Sequence, residues 1–162
     1  MAEYAGAAPL LEKLAALGML LQVQVQGDQM LALGPLVFGF PGRVLIDHCG
    51  RPDVAAGPEA DGFQAVLALG RTGRAWVKLS GYAKFSHEPW PHRDVWPFLA
   101  ALRDAFGVGR CVWASDWPFI RAAERVDYGP LIKLVELVFP DRYDREQVFW
   151  RNAAEVLGFT AS

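Results

Sequence analysis

Helix-like and strand-like patterns alternate along this 162-residue chain, and this alternation restricts its fold more than any other feature. Residues 21–26 alternate strictly between apolar and polar side chains, which is the two-residue period of a strand. The leucines of residues 10–17 recur at helical spacing, with Pro9 before them and Gly18 after them. We predict strands at 21–26, 44–48, 75–80 and 112–116, and helices at 10–17, 29–40 with a break near Gly34 and Pro35, 59–69, 94–106, 128–139 and 144–157.

An alternating order of this kind favours an α/β fold with right-handed crossovers and a parallel sheet. Four predicted strands are half of the eight in a (β/α)₈ barrel, which takes about 250 residues. The sequence therefore favours a partial barrel made of about the last four or five β/α units. A complete, small doubly wound sheet is the competing architecture. In both cases we expect residues 1–162 to form a single domain.

Composition narrows the classes of partner. The net charge is −2, without a block of basic residues, which argues against nucleic acids and anionic membranes. No apolar stretch approaches the roughly 20 residues that cross a bilayer. Cys49 and Cys111 lie in apolar runs, as reduced thiols of cytosolic proteins commonly do. We expect a soluble, cytoplasmic protein that acts on a small molecule.

Two predicted strands end on an ionisable side chain, His48 in one and Asp116 in the other. Enzymes with α/β folds carry reactive groups at the carboxyl ends of parallel strands. Side chains alternate along a strand, so Lys78 shares a face with Ser80 and Asp47 is expected to point away from His48. If the polar faces all point inward, one surface collects an ammonium, an imidazole and a carboxylate.

Each of these residues also has a structural interpretation. His48 could be a hydrogen-bonded structural histidine, and Asp116 could cap the turn that follows it. Arg51 could pair with Asp53, or it could recognise an anionic or carbonyl oxygen just beyond His48. The spacing alone leaves these alternatives open.

Four motifs together resemble one known family. They are Leu-Ile-Asp-His-Cys-Gly-Arg-Pro-Asp at 45–53, Trp-Val-Lys-Leu-Ser-Gly at 76–81, Val-Trp-Ala-Ser-Asp-Trp-Pro at 112–118 and Asn-Ala-Ala-Glu-Val-Leu-Gly at 152–158. In this order and spacing they resemble the amidohydrolase-related (amidohydrolase 2) family, in particular its 2-pyrone-4,6-dicarboxylate lactonase-like branch. The resemblance implies a distorted (β/α)₈ barrel in which His48 and Asp116 follow the fifth and eighth strands.

The resemblance also implies a hydrolase whose substrate is a lactone or a carboxylated ring. Asp116 would be the general base that deprotonates the attacking water, and His48 would polarise the lactone carbonyl. No metal ligands are assigned and no cofactor is required in the lactonase-like branch, although Zn²⁺ serves other members of the wider superfamily. The expected substrate-binding residues are Arg51, Lys78, Ser80, Tyr82 and Lys84.

One element of the family is missing from the sequence. The family opens with a His-x-His pair on its first strand, whereas the histidines here are His48, His87 and His92. We therefore expect the chain to be the carboxyl-terminal half, from a truncated reading frame, an internal start or a split gene. The leading hypothesis is a lactonase-type hydrolase. The alternatives are an inactive fragment or pseudo-enzyme that dimerises or needs a separate amino-terminal half, and a metal-dependent decarboxylase of the same superfamily.

Overall fold

A four-stranded parallel sheet organises the protein. The computed structural model describes residue 4, residues 6–120, residue 122 and residues 125–159. The strands are β1 (Leu21–Val23), β2 (Val44–Ile46), β3 (Ala75–Leu79) and β4 (Cys111–Trp113), and they pair in the order β1-β2-β3-β4. All four predicted strands are present and parallel. Each ends earlier than predicted, β3 by one residue and the other three by two or three.

Helices alternate with these strands, as the sequence pattern predicts. The helices are α1 (Ala8–Ala16), α2 (Gln29–Gly39), α3 (Asp61–Arg71), α4 (Trp96–Phe106), α5 (Tyr128–Val138), α6 (Arg142–Glu146) and α7 (Asn152–Leu157). The predicted break in α2 is wrong: the helix runs through Pro35, which frees only the carbonyl of half-exposed Leu31. In the part of the chain that the structure describes, none of the helices has the length and apolar character that crossing a membrane requires.

The four described strands follow one another across the sheet in chain order. A doubly wound sheet reverses its strand order at a switch point, and the four described strands show no reversal. Crossovers of one hand then place their helices on one face of the sheet. On that face, side chains such as Ile46 and Val77 pack in one core with Met30, Phe63 and Leu102 from the helices.

The other face of the sheet is apolar at one end and polar at the other. Leu45, Trp76 and Val112 form a small second cluster there, covered by Val156 from α7. The polar end lies toward the carboxyl ends of the strands and carries the groups described below. The sheet therefore separates a helix-covered core from a face that can present chemistry.

Asn152 fastens the C-terminal helices to β4. A π-helical turn, Gln147–Arg151, joins α6 to α7, and the Asn152 side chain is buried directly after it. Its amide Nδ2 donates to the carbonyl oxygens of Val108 and Cys111, at 2.7 and 2.8 Å. This contact explains why an asparagine stands at the start of the 152–158 motif.

We predict that Asn152→Ala lowers the free energy of unfolding by about 2–4 kcal/mol, because two buried carbonyls lose their donor. Urea denaturation monitored by circular dichroism measures the change. The control Glu155→Ala, one turn away on an exposed position, should alter the midpoint little. Equal midpoints for the Asn152 variant and the wild type would contradict this account of the motif.

Candidate active site

A left-handed turn follows β2 and carries His48. The strand ends at Ile46, and His48, Cys49, Gly50 and Arg51 then take φ angles of 49°, 59°, 73° and 41°. Such angles are rare for residues other than glycine and store strain. The backbone of Gly50 donates to Asp47 and that of Arg51 to His48, at 2.9 and 2.8 Å, which closes the turn.

This turn corrects the predicted facing of His48. The prediction placed His48 on the strand face of Val44 and Ile46, and that face packs against the helices. Because the strand ends before His48, alternation does not apply to it. The turn instead brings the ring to Ser80, whose Oγ lies 2.9 Å from His48 Nδ1.

Gly81 makes room for the imidazole. Its φ is +73°, and a Cβ atom at this position would lie 3.0 Å from Nδ1 and 3.1 Å from Cβ of His48. A side chain here would therefore push the ring away from Ser80. The close approach explains the glycine after Ser80 in the 76–81 motif.

Asp116 reaches the same place from β4. The strand ends at Trp113, so Asp116 lies three residues beyond it rather than at its end, with a φ of 64°. Asp116 Oδ1 lies 3.7 Å from His48 Nε2, which is longer than a hydrogen bond. The structure thus brings the two predicted reactive groups together, although their catalytic roles stay a prediction.

Lys84 holds the Asp116 carboxylate at both oxygens. Its Nζ lies 2.9 Å from Oδ1 and 2.7 Å from Oδ2 of Asp116. Both side chains are largely shielded, with 17% and 13% of their surfaces exposed. The sequence predicted Lys84 near the substrate but not this ion pair, because the residues are 32 positions apart and no local pattern joins them.

A second ion pair lies beside the first. Lys78 Nζ contacts Asp47 Oδ1 at 2.5 Å, and Gln22 Nε2 donates to Asp47 Oδ2 at 2.7 Å. The prediction that Asp47 points away to anchor backbone or a helix is wrong: it is Asp47, rather than His48, that shares a strand face with Lys78. Lys78 is therefore engaged by Asp47, with its side chain 20% exposed.

Burial keeps the His48 imidazole neutral. Loss of solvent is the main cause that lowers the pKa of His48 below its ordinary 6.5. The carboxylates of Asp116 and Asp47 act in the opposite direction, and the ammonium groups of Lys84 and Lys78 add to the lowering. A neutral imidazole can accept a proton at one nitrogen and donate from the other.

Arg51 faces a cleft of about 530 Å³, here called the Arg51 cleft, whose wall also includes Gln26, Lys84 and His87. The guanidinium Nε is buried and has no hydrogen-bond partner among the residues that the structure describes. The alternative of an ion pair with Asp53 is wrong, because Asp53 accepts from the Ala55 backbone instead. Lys84 both lines the cleft and contacts Asp116, so it joins the cleft to the His48 site.

Tyr82 does not fit the role that the sequence assigned to it. Its side chain is 1% exposed and packs in the core, edge-on to Phe85. Burial raises the pKa of its hydroxyl well above the usual value of about 10. Cys49, next to His48, is likewise buried, and burial raises the pKa of its thiol to about 12, so neither group presents a reactive anion.

A metal site is not formed by the residues described. Among them, no three His, Cys, Asp or Glu side chains lie close enough to coordinate one ion. Zinc takes at least three protein ligands, and here only His48 and Asp116 approach each other, with both Asp116 oxygens already contacted by Lys84.

His48 and Asp116 lie just beyond the carboxyl ends of parallel strands, the position at which α/β enzymes carry their reactive groups. The chain belongs to the amidohydrolase family, whose model matches residues 2–159. The resemblance inferred from the four motifs is thereby confirmed.

Characterised relatives of this chain are lactone hydrolases. It is 33% identical over 134 residues to 4-sulfomuconolactone hydrolase from Rhizobium radiobacter, covering 81% of this chain and 44% of the relative. It is 35% identical over 120 residues to L-fucono-1,5-lactonase from Burkholderia ambifaria, covering 68% and 40%. The chain thus spans less than half the length of these relatives.

Solved structures share the fold. A protein described as a 2-pyrone-4,6-dicarboxylic acid hydrolase, from Pseudomonas putida, superposes with a TM-score of 0.83 at 28% identity, covering 95% of this chain and 57% of that one. An amidohydrolase from Burkholderia multivorans with bound zinc gives a TM-score of 0.84 at 23% identity, covering 96% and 58%. The zinc belongs to that protein, and the likeness to it concerns the fold.

We predict that His48 makes the protein less stable in acid. Its folded pKa lies below 6.5, so the unfolded chain binds more protons between the two pKa values and stability rises with pH there. The contribution is complete above about pH 6.5 and is lost as the pH falls through the folded pKa. Urea unfolding from weakly acidic to neutral pH should show this slope in the wild type and less of it in His48→Gln.

The exposed His87 provides the control for this measurement. His87→Gln should retain the slope of the wild type. A slope that is unchanged in the His48 variant would show that the imidazole is not buried as described.

Proposed function

We propose that this protein hydrolyses a lactone or similar cyclic ester, with Asp116 as the general base and His48 as the group that polarises the carbonyl. The observation that carries the proposal is the convergence of the two groups, 3.7 Å apart, beside a cleft with an unpartnered arginine. The lactone hydrolases among the relatives give the substrate class.

The reaction needs one proton acceptor and one stabiliser of negative charge. A water molecule transfers a proton to the Asp116 carboxylate while its oxygen forms a bond to the lactone carbonyl carbon, and the carbonyl electrons move onto the carbonyl oxygen. The tetrahedral intermediate then expels the ring oxygen, which takes the proton from Asp116. The products are a hydroxyl and a carboxylic acid that ionises in solution.

His48 suits the second role because its ring is neutral and oriented. When Ser80 Oγ donates to Nδ1, the proton of the imidazole lies on Nε2, the nitrogen that faces Asp116. An N–H at this point can donate to the carbonyl oxygen as negative charge develops on it. Ser80 is thus a positioning residue in this proposal, since it is buried and fixes the tautomer.

Arg51 gives the site a preference for anionic substrates. A guanidinium that lacks a partner in a shielded cleft is suited to a carboxylate or a sulfonate on the lactone ring. The Rhizobium radiobacter relative is named for a sulfonated lactone, 4-sulfomuconolactone. The wall of the cleft includes the cationic side chains of Arg51 and Lys84, which can bind such a substituent.

We also propose that the four strands are part of a (β/α)₈ barrel. In the described residues, β1 and β4 each pair on one side only, which leaves two sheet edges open. The chain also spans 44% and 40% of its two lactonase relatives. These facts support the second candidate, in which activity requires a separate amino-terminal half or a second copy of the chain.

We predict that Asp116→Asn lowers kcat for hydrolysis of a carboxylated lactone by about 10²–10⁴-fold, because the amide cannot accept the proton of water. Initial rates of acid release measure the loss. The matched control is Asp127→Asn, an exposed carboxylate that pairs with the exposed Arg125, and it should retain wild-type activity. If the Asp116 variant keeps its activity, Asp116 is not the base. If the wild type itself shows no turnover, the result favours the second candidate, in which activity requires a separate amino-terminal half or a second copy of the chain.

We predict that Arg51→Met raises KM for anionic lactones by about 10- to 100-fold. This is the loss of affinity expected when one charge-assisted hydrogen bond is removed. KM for an uncharged lactone should change little, since no ionic contact is lost. The control Arg71→Met removes an exposed arginine at the end of α3. A similar rise in KM for both substrates would show that Arg51 supports the fold rather than the anion.

A further inference from the structure

We propose that Lys84 couples the charge of the substrate to the activity of the base. In this proposal, which rests on the proposed function, Lys84 holds Asp116 when the Arg51 cleft is empty. An anionic group that enters the cleft draws the ammonium away and frees the carboxylate to accept a proton.

The first step of the argument is the contact itself. Lys84 Nζ lies within 2.9 Å of both Asp116 oxygens, in a site where 13% of the aspartate side chain is exposed. An ammonium that contacts both oxygens occupies the positions at which the carboxylate would accept the proton of a water molecule. Asp116 therefore needs release from Lys84 before it can act efficiently as a base.

The second step is the position of Lys84 between two sites. It contacts Asp116 and also forms part of the wall of the Arg51 cleft. The backbone around it is fixed, because Tyr82 and Phe85 on either side are buried in the core. The flexible four-carbon side chain can nevertheless move the ammonium from one site to the other without a change in the backbone.

The third step is that the other cations near the site, among the residues that the structure describes, do not take this role. Lys78 is engaged by Asp47, and His48 is neutral because burial lowers its pKa. Arg51 supplies a second positive charge in the wall of the cleft. A carboxylate or sulfonate between Arg51 and Lys84 therefore competes with Asp116 for the Lys84 ammonium, whereas an uncharged lactone does not.

Opposite effects of Lys84→Met on two substrates test the coupling. For an anionic lactone, the variant should raise KM by about 10- to 100-fold, because one ionic contact is lost. For an uncharged lactone of the same ring, kcat/KM should rise by at least about threefold, because Asp116 is no longer held. A merely structural lysine would lower kcat/KM for both substrates, and that result overturns the proposal.

Lys133→Met provides the matched control for this comparison. Lys133 is exposed and pairs with Glu136 on the surface of α5. The proposals assign no role to either residue. Its substitution should leave the kinetic constants of both substrates unchanged.

A second measurement does not depend on turnover. In protein labelled with ¹³C at aspartate, the Asp116 carboxyl resonance is assigned by its loss in Asp116→Asn. Addition of 2-furoate should move this resonance toward its position in Lys84→Met, and the uncharged 2-furamide should not move it. In Lys84→Met, 2-furoate should have no such effect.

The two proposals can fail separately. If 2-furoate moves the resonance but no lactone is hydrolysed, the coupling stands and the lactonase assignment fails. If lactones are hydrolysed but saturating 2-furoate leaves the resonance in place, or does not bind, the coupling proposed for Lys84 is overturned.

Discussion

The left-handed turn after β2 is the constraint on which the rest of the site depends. A strand continued through His48 would project its imidazole into the helix-covered core, next to Ile46. Four successive positive φ angles reverse this direction, at a cost of about 1–3 kcal/mol for each residue other than glycine. Hydrogen bonds within the turn and the complete burial of Cys49 offset that strain. The missing side chain at Gly81 leaves the space into which the ring is turned.

Charge is distributed around that imidazole in two ion pairs. Asp47 with Lys78 and Asp116 with Lys84 each place one positive and one negative group near the ring, so their influences largely oppose each other. Burial then decides the protonation state and leaves His48 neutral. Arg51 keeps a buried guanidinium Nε that has no hydrogen-bond partner among the described residues. The site thus holds a base, a neutral hydrogen-bond donor and a receptor for an anion within one small region.

Much of the fold could be predicted from the sequence, because its evidence is local. The two-residue and helical periodicities predicted the four strands and the helices α1 to α5, and the chain order predicted a parallel sheet. The helices α6 and α7, with the π-helical turn between them, were predicted as one helix. The facing of Asp47 and His48 was predicted wrongly because it depends on the exact end of β2, which stops at Ile46. The contact between Lys84 and Asp116 joins distant parts of the chain, and the burial of Tyr82 depends on the packing around its loop. No sequence period reports either of these.

The most direct test of the central claim is a double-mutant cycle on His48 and Asp116. His48→Gln, Asp116→Asn and the double variant are compared with the wild type by kcat/KM for lactone hydrolysis. When two groups act on the same reacting centre, removing the second costs little once the first is gone. The kcat/KM of the double variant should therefore be no more than about threefold below that of the less active single variant. Losses that multiply would show that the imidazole and the carboxylate act independently, and would contradict the account.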